Sequence, residues 1–457
     1  MKKIALLIIV LNSFACNQAA IENGSSHHPF HPEWSKHSNI YEVNIRQYTP
    51  EGTFNAFEKH LPRLKELGVD ILWLMPIQPI GKIKRKGILG SYYSISDYSA
   101  INPEFGSKED FLELVKTSHN LGIRVILDWV PNHTSWDHHW MSESPDFYFR
   151  DPQTGIISNG LDDHNNPTDW TDVAELDYDN PAMQEEMRQE MLWWIEEFDI
   201  DGFRCDMAGG QSDEFWEETI LFLRGVKKEL FMLAESEHLP LHNSGFDMTY
   251  GWEFHHLLNK VAGDMESVKL LDDYLEKQRT SFPQDGYRMY FIDNHDENSW
   301  NGTVKSRIGD NAHPAFILCC TMLNSMPLIY SGQEVGLDKS LRFFSRDTIS
   351  WETPSQEKFY SKALSLKRSQ NSLANGNWGG TQDRILVENN SVYAFYRSKG
   401  SNKVVVFINF SDEQIEINYK NSVKGKFKNW FTGDNITLKK NGTLTLGPND
   451  FRVFTKA

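Results

Sequence analysis

Eight short apolar runs, each separated from the next by a long connection that usually carries a helix-like stretch, dominate the chain from about residue 38 to 370. The runs fall at 40–44, 70–75, 123–129, 202–206, 230–235, 245–248, 289–293 and 327–330. The sixth is the least regular of them. Helix-period stretches at 54–67, 110–120, 182–198 and 213–228 lie between runs, the first with Phe57, Leu61 and Leu64 on one face and Gly68 as its stop. Strands joined by long connections pair in parallel, and eight of them predict a closed (β/α)8 barrel.

One connection breaks this rhythm. Residues 131–180 are rich in Asp, His, Trp and Gly. A structureless loop of that length is improbable in a compact domain, so it reads as a small inserted domain. It follows the third strand, on the face where barrel active sites lie. After about residue 375 the pattern changes again. Short runs at 392–397, 404–410, 415–417, 427–430, 443–446 and 451–454 are separated by turn pairs such as Lys399-Gly400, Gly433-Asp434 and Asn441-Gly442. They predict a C-terminal antiparallel β-sandwich over 375–457. The barrel then occupies 38–130 and 181–374.

The first residues read as an export signal. Lys2 and Lys3 precede an apolar run too short to span a bilayer, and Ser13-Phe14-Ala15-Cys16 follows. Small residues before a cysteine resemble a bacterial lipoprotein signal over 1–16, with Cys16 the lipidated first residue of the mature chain. A polar tether over 17–37 would follow. The competing reading is an ordinary secretory signal cut near Ala19-Ala20. On the first reading the protein is exported and lipid-anchored in the cell envelope. The formal net charge of -17 argues against nucleic acid and against a basic membrane-binding surface. Cys205, Cys319 and Cys320 are too few and too poorly spaced for a disulfide framework or a zinc site, and are expected as buried thiols.

The strand ends carry the chemistry. The third run ends in Asp128-Trp129-Val130-Pro131-Asn132-His133, the fourth carries Arg204 and Asp206, the fifth ends in Glu235, and the seventh ends in Asp293-Asn294-His295-Asp296. Arg204 and Asp206, two residues apart on a strand, share a face, so the Arg would hold the Asp ionised. A barrel core needs no such cluster. Acids, histidines and an arginine converging on one mouth imply acid–base or metal chemistry. A 13% aromatic content with 14 Trp suits a protein that stacks sugars, although most of these rings fill core.

These segments resemble the signature regions of the α-amylase family of glycoside hydrolases. So do Gly90-Ser91-Tyr92-Tyr93, Asn102-Pro103-Glu104-Phe105-Gly106 and Pro327-Leu328-Ile329-Tyr330, all in the family's order. The resemblance implies a retaining hydrolase of α-1,4-glucans with Asp206 as nucleophile, Glu235 as general acid/base and Asp296 as third carboxylate. Retention requires one ionised and one protonated carboxyl about 5–5.5 Å apart. Glu237 is a rival acid two residues along. Tyr93, His133, Arg204 and His295 are implied around the bound sugar, with Asp128 supporting Arg204. Calcium at Asn132 and Glu175 is implied by members that tie the insertion to the barrel with that ion; both side chains are oxygen donors. One departure stands out. Gly209 and Gly210 occupy positions where starch-degrading members carry Lys-His, so short malto-oligosaccharides or another leaving group are open alternatives to long starch. A transglycosylase, an exo-acting α-glucosidase-like enzyme and a non-catalytic glycan binder are the other readings. Oligomeric state is not legible.

Overall fold

Eight parallel strands close on themselves in the computed structural model, which describes residues 31–162, 166–351, 356–420 and 422–456. Cys16 and the signal segment lie outside these residues. The barrel strands are β1 (Ile40–Val43), β2 (Ile71–Leu74), β3 (Arg124–Trp129), β4 (Gly202–Cys205), β5 (Phe231–Ala234), β6 (Met248–Tyr250), β7 (Tyr287–Tyr290) and β8 (Ser325–Tyr330). Each pairs with its neighbour in sequence, and β1 closes on β8 with Ile40 opposite Leu328.

Two strands differ from their expected positions. β6 and β7 are displaced by two or three residues from the runs at 245–248 and 289–293. In β7 the alternation explains this. Tyr287 and Met289 fill the barrel interior, while Arg288 between them is buried and donates to Thr249 Oγ1 and the Tyr250 carbonyl. A charged residue inside a strand hid its beginning. The stretch at 54–67 forms two helices, Phe54–Glu58 and Leu61–Leu67. Pro62 has no N–H for the Glu58 carbonyl, so the first helix ends there. Gly68 caps the second in the left-handed conformation, φ 103°.

The barrel interior is layered. Ile71, Ile126, Leu233, Met289 and Leu328 pack its apolar middle. Above them, towards the strand C-termini, lie Glu42, Asp128 and Arg204, all fully buried. Register sets this layer: Asp128 on β3 is opposite Arg204 on β4. β4 and β5 approach so closely that a Cβ on Gly202 would lie 1.9 Å from the Phe231 carbonyl oxygen. Only glycine fits at the start of β4.

At the base of the insertion His133–Ser135 pairs antiparallel with Val173–Glu175, which sets His133 opposite Glu175. The C-terminal domain has a six-stranded and a three-stranded sheet. Three of its strands, Thr381–Arg384, Leu386–Val387 and Asn435–Leu438, are too polar or short to read from sequence. The larger sheet buries both faces. Val405 and Phe407 face the smaller sheet, while Val404, Val406 and Ile408 join the core shared with the barrel. Cys205, Cys319 and Cys320 are buried free thiols. Among the described residues no helix is long and apolar enough to cross a membrane.

Candidate active site

Arg204 organises the mouth of the barrel. Its Nη1 donates to Asp206 Oδ1 at 2.7 Å and to Asp128 Oδ1 at 2.9 Å. Its Nη2 lies 2.8 Å from Glu235 Oε2, at an angle that makes this a charge contact rather than a hydrogen bond. Its Nε donates to the Tyr250 hydroxyl at 3.0 Å, and Trp73 lies under the guanidinium. One cation thus serves three carboxylates. The sequence grouped Arg204 with residues around the sugar, but it is fully buried beneath the acids and absent from the cleft lining. It can act on a sugar only through the carboxylates that it holds.

Charge divides the two central acids. Burial raises Glu235 most; Arg204 draws it back, the Asp206 and Asp296 charges raise it again, and the result is about 7. Burial also raises Asp206, but Arg204 opposes this more directly and leaves it at about 6. The direct Arg204 hydrogen bond favours ionisation at Asp206, and the neighbouring acid charges favour the proton at Glu235. The backbone N–H of Met207, a residue in the left-handed region at φ 45°, donates to Glu235 Oε2 at 3.0 Å. Glu237 also lines the cleft, but its Oε2 accepts the Glu253 N–H and it has no contact with Arg204.

The remaining predicted residues gather around these acids. The Tyr93 hydroxyl donates to Asp128 Oδ2 at 3.1 Å and lies 2.8 Å from His295 Nε2. Since that hydroxyl proton is committed to Asp128, His295 Nε2 must be the donor. His295 Nδ1 lies 2.6 Å from Glu42 Oε1 and donates as well, so the ring is an imidazolium. Burial would lower its pKa, but Asp296 and Glu42 outweigh burial and hold it at about 9. His133 lines the cleft and burial lowers it to about 4, so it is neutral. Asp296 lines the cleft with its side chain about one-third exposed. Of the insertion's tryptophans only Trp170 lines the cleft. Trp140 is buried in the insertion, and Trp136 lies under Lys84.

Glu42, Trp73 and Tyr250 were not recognised as site residues from the sequence. A signal existed for one of them: Glu42 is the sole charge in an otherwise buried strand. Trp252, Trp300, Phe343 and Phe344 complete the walls of a cleft of about 980 Å³.

The residues named for calcium do meet, but as partners of each other. Asn132 Nδ2 donates to Glu175 Oε2 at 3.0 Å, the Leu161 N–H donates to the same oxygen at 2.8 Å, and Asn132 Oδ1 accepts from Gln211 at 3.3 Å. Burial raises Glu175 to about 8. Calcium takes six to eight oxygens and favours ionised carboxylates. One carboxyl and one amide oxygen, with Glu175 Oε2 already accepting two N–H bonds and Asn132 Oδ1 accepting one, fall short of that set. Among the described residues no group of three or more His, Cys, Asp or Glu side chains could hold a metal ion.

A parallel barrel with two carboxyls held by one arginine at its mouth, a third acid beside them and aromatic walls defines a glycoside hydrolase. The chain belongs to the α-amylase family: the family model described as "Alpha amylase, catalytic domain" matches residues 30–378, and "Maltogenic Amylase, C-terminal domain" matches 384–453. It is an α-amylase-type glycosidase. Alpha-amylase 3 of Dictyoglomus thermophilum is 25% identical over 87% of this chain and 90% of its own length. The maltogenic alpha-amylase of Bacillus acidopullulyticus is 24% identical over 92% of this chain and 78% of its own. Among solved structures, a maltogenic α-amylase from Thermotoga neapolitana superposes with a TM-score of 0.82 at 28% identity, covering 92% of this chain and 99% of that one. An α-amylase from Lactobacillus plantarum gives the same score and identity over 93% and 100%.

Proposed function

We propose that this protein hydrolyses α-1,4-glucosidic bonds in malto-oligosaccharides with retention of anomeric configuration. The observation that carries the reading is the single Arg204 guanidinium shared by Asp206 and Glu235, which brings an ionised and a protonated carboxyl to one reacting centre. Asp206 attacks the anomeric carbon while Glu235 delivers its proton to the departing glycosidic oxygen. The C–O bond to the leaving sugar breaks, and an ester joins the glycosyl unit to Asp206. Water then enters on the Glu235 side. Glu235, now ionised, takes a proton from it; the oxygen bonds to the anomeric carbon and Asp206 departs as carboxylate. Asp296 and the His295 imidazolium face the same sugar, and Tyr93 lies beneath it.

Glu235→Gln is expected to lower kcat on maltoheptaose by roughly 10²–10⁴-fold, the usual range for a positioned acid, while Glu237→Gln stays within about tenfold of wild type. The reverse ranking would transfer the acid role to Glu237. A second reading, glycosyl transfer to a sugar acceptor, is favoured by Glu237 and Trp252, which line the cleft beside Glu235 and offer a surface to an acceptor sugar. Products longer than the substrate in a maltotriose digest would favour it. Export with lipid attachment at Cys16 belongs to the proposal. Calcium plays no part in the steps above.

A further inference from the structure

Trp300 is a large ring left 57% exposed at the rim of the catalytic cleft. It lies four residues after Asp296, in a π-helical turn over Glu297–Asn301. Such turns are rare and are common at functional sites. Its ring centroid is 5.4 Å from that of Phe343 and 6.0 Å from that of Phe344. Phe343 in turn lies 6.2 Å from Tyr93, with the two ring planes within 9° of parallel. With Trp300 tilted 43° to Phe343, Tyr93, Phe343 and Trp300 form one bent aromatic ledge, running from the catalytic centre outwards.

The ledge is held rigidly. Asn298, almost fully buried in the π-turn, accepts from the Leu341 N–H at 2.9 Å and donates to the Lys339 carbonyl at 3.2 Å. Thr303 Oγ1 donates to Asp338 at 2.6 Å. These bonds lock the loop after β7 to the loop after β8, which carries Phe343. On the far side the Leu89 N–H donates to the Phe344 carbonyl at 3.0 Å, and Gly87 packs where any Cβ would lie 2.5 Å from that of Phe344. Fixed, exposed aromatic faces bind flat apolar surfaces at little entropic cost.

Direction follows from the acids. Glu235 protonates the leaving sugar, so the leaving group lies on the side of Ser236, Glu237 and Trp252, from the loops after β5 and β6. The ledge is built by loops after β2, β7 and β8. It faces the part of the substrate that stays on the enzyme.

We propose that Trp300, with Phe343, forms an outer subsite for the retained, non-reducing portion of a malto-oligosaccharide, beyond the sugar at Tyr93, and so sets the preference for longer chains. This rests on the hydrolase reading above. The test is kcat/KM on maltotriose and maltoheptaose for wild type, Trp300→Ala and Trp300→Phe. Trp300→Ala is expected to lose about tenfold on maltoheptaose and less than about twofold on maltotriose, with Trp300→Phe recovering most of the loss. The conservative variant separates a sugar platform from a fold contribution. Equal losses on the two substrates, or no loss on either, would overturn the ledge while leaving the hydrolase reading intact. Wild type inert towards both sugars would overturn the hydrolase reading and the ledge with it.

Discussion

The pair formed by His295 and Glu42 shows how one buried contact sets a charge state. Both imidazole nitrogens of His295 donate, one to Glu42 and one to the Tyr93 oxygen, so the ring is cationic beside Asp296. Glu42→Gln keeps the shape and removes the charge. The ring should then titrate nearer its ordinary value of about 6.5, within the working range. The alkaline limb of kcat/KM should move acidward, with kcat at pH 8 falling about tenfold more than at pH 5.5 and KM changing less than kcat. A pH profile superposable on wild type would show that the Glu42 charge is dispensable. The same raised pKa makes a stability statement: the His295 contribution is whole below about 6.5 and is lost as pH rises through about 9. The three acids, Arg204, both histidines and Tyr93 were legible in sequence because each ends a strand or falls in an ordered family motif. Glu42, Trp73 and Tyr250 were not, because their roles arise from register across the barrel interior, which no local pattern encodes.

Between elements, the junction of the insertion with the barrel carries a clear test. His133–Ser135 and Val173–Glu175 pair at the base of the insertion, and Gln211 of the barrel donates to Asn132, which in turn donates to Glu175. Because burial raises Glu175 to about 8 from 4.5, its contribution to stability is whole below about 4.5 and is lost as pH rises through about 8. A bound cation would reverse that sign by favouring the carboxylate. The misfit of this donor set to calcium predicts that exhaustive chelation leaves Tm at pH 7 unchanged to within about 1 °C, a shift too small for a bound structural ion. A fall of several degrees, absent in Glu175→Gln, would restore calcium to the junction. Sequence reading supplied both residues but not their mutual bond, since 43 positions separate them and only the β-pairing brings them together.

At the scale of the whole molecule, two domains share one core, and the first described residues lie at the end of the barrel opposite its chemistry. Val404, Val406 and Ile408 of the C-terminal domain belong to the same apolar cluster as the barrel helices. At the other end, His31 pairs with Asp247 at 2.8 Å and stacks on Tyr287, at the start of β7 and far from the catalytic mouth. Cys16→Ser is expected to move the protein from the membrane fraction to the soluble one; retention in the membrane fraction would remove the lipid anchor from the account. By itself the sequence determined the kind of fold and named the acids on which the proposed reaction rests. Strand-and-helix alternation and strand-end carboxylates are local patterns, set by periodicity and by which residues tolerate burial. Tertiary structure alone decided which carboxyl takes the direct Arg204 hydrogen bond, how Arg204 is shared, that Asn132 and Glu175 bond to each other, and that Trp300 extends the aromatic wall from Tyr93. Each of these depends on distances between residues remote in the chain, and electrostatic and packing energies are fixed by those distances rather than by sequence order.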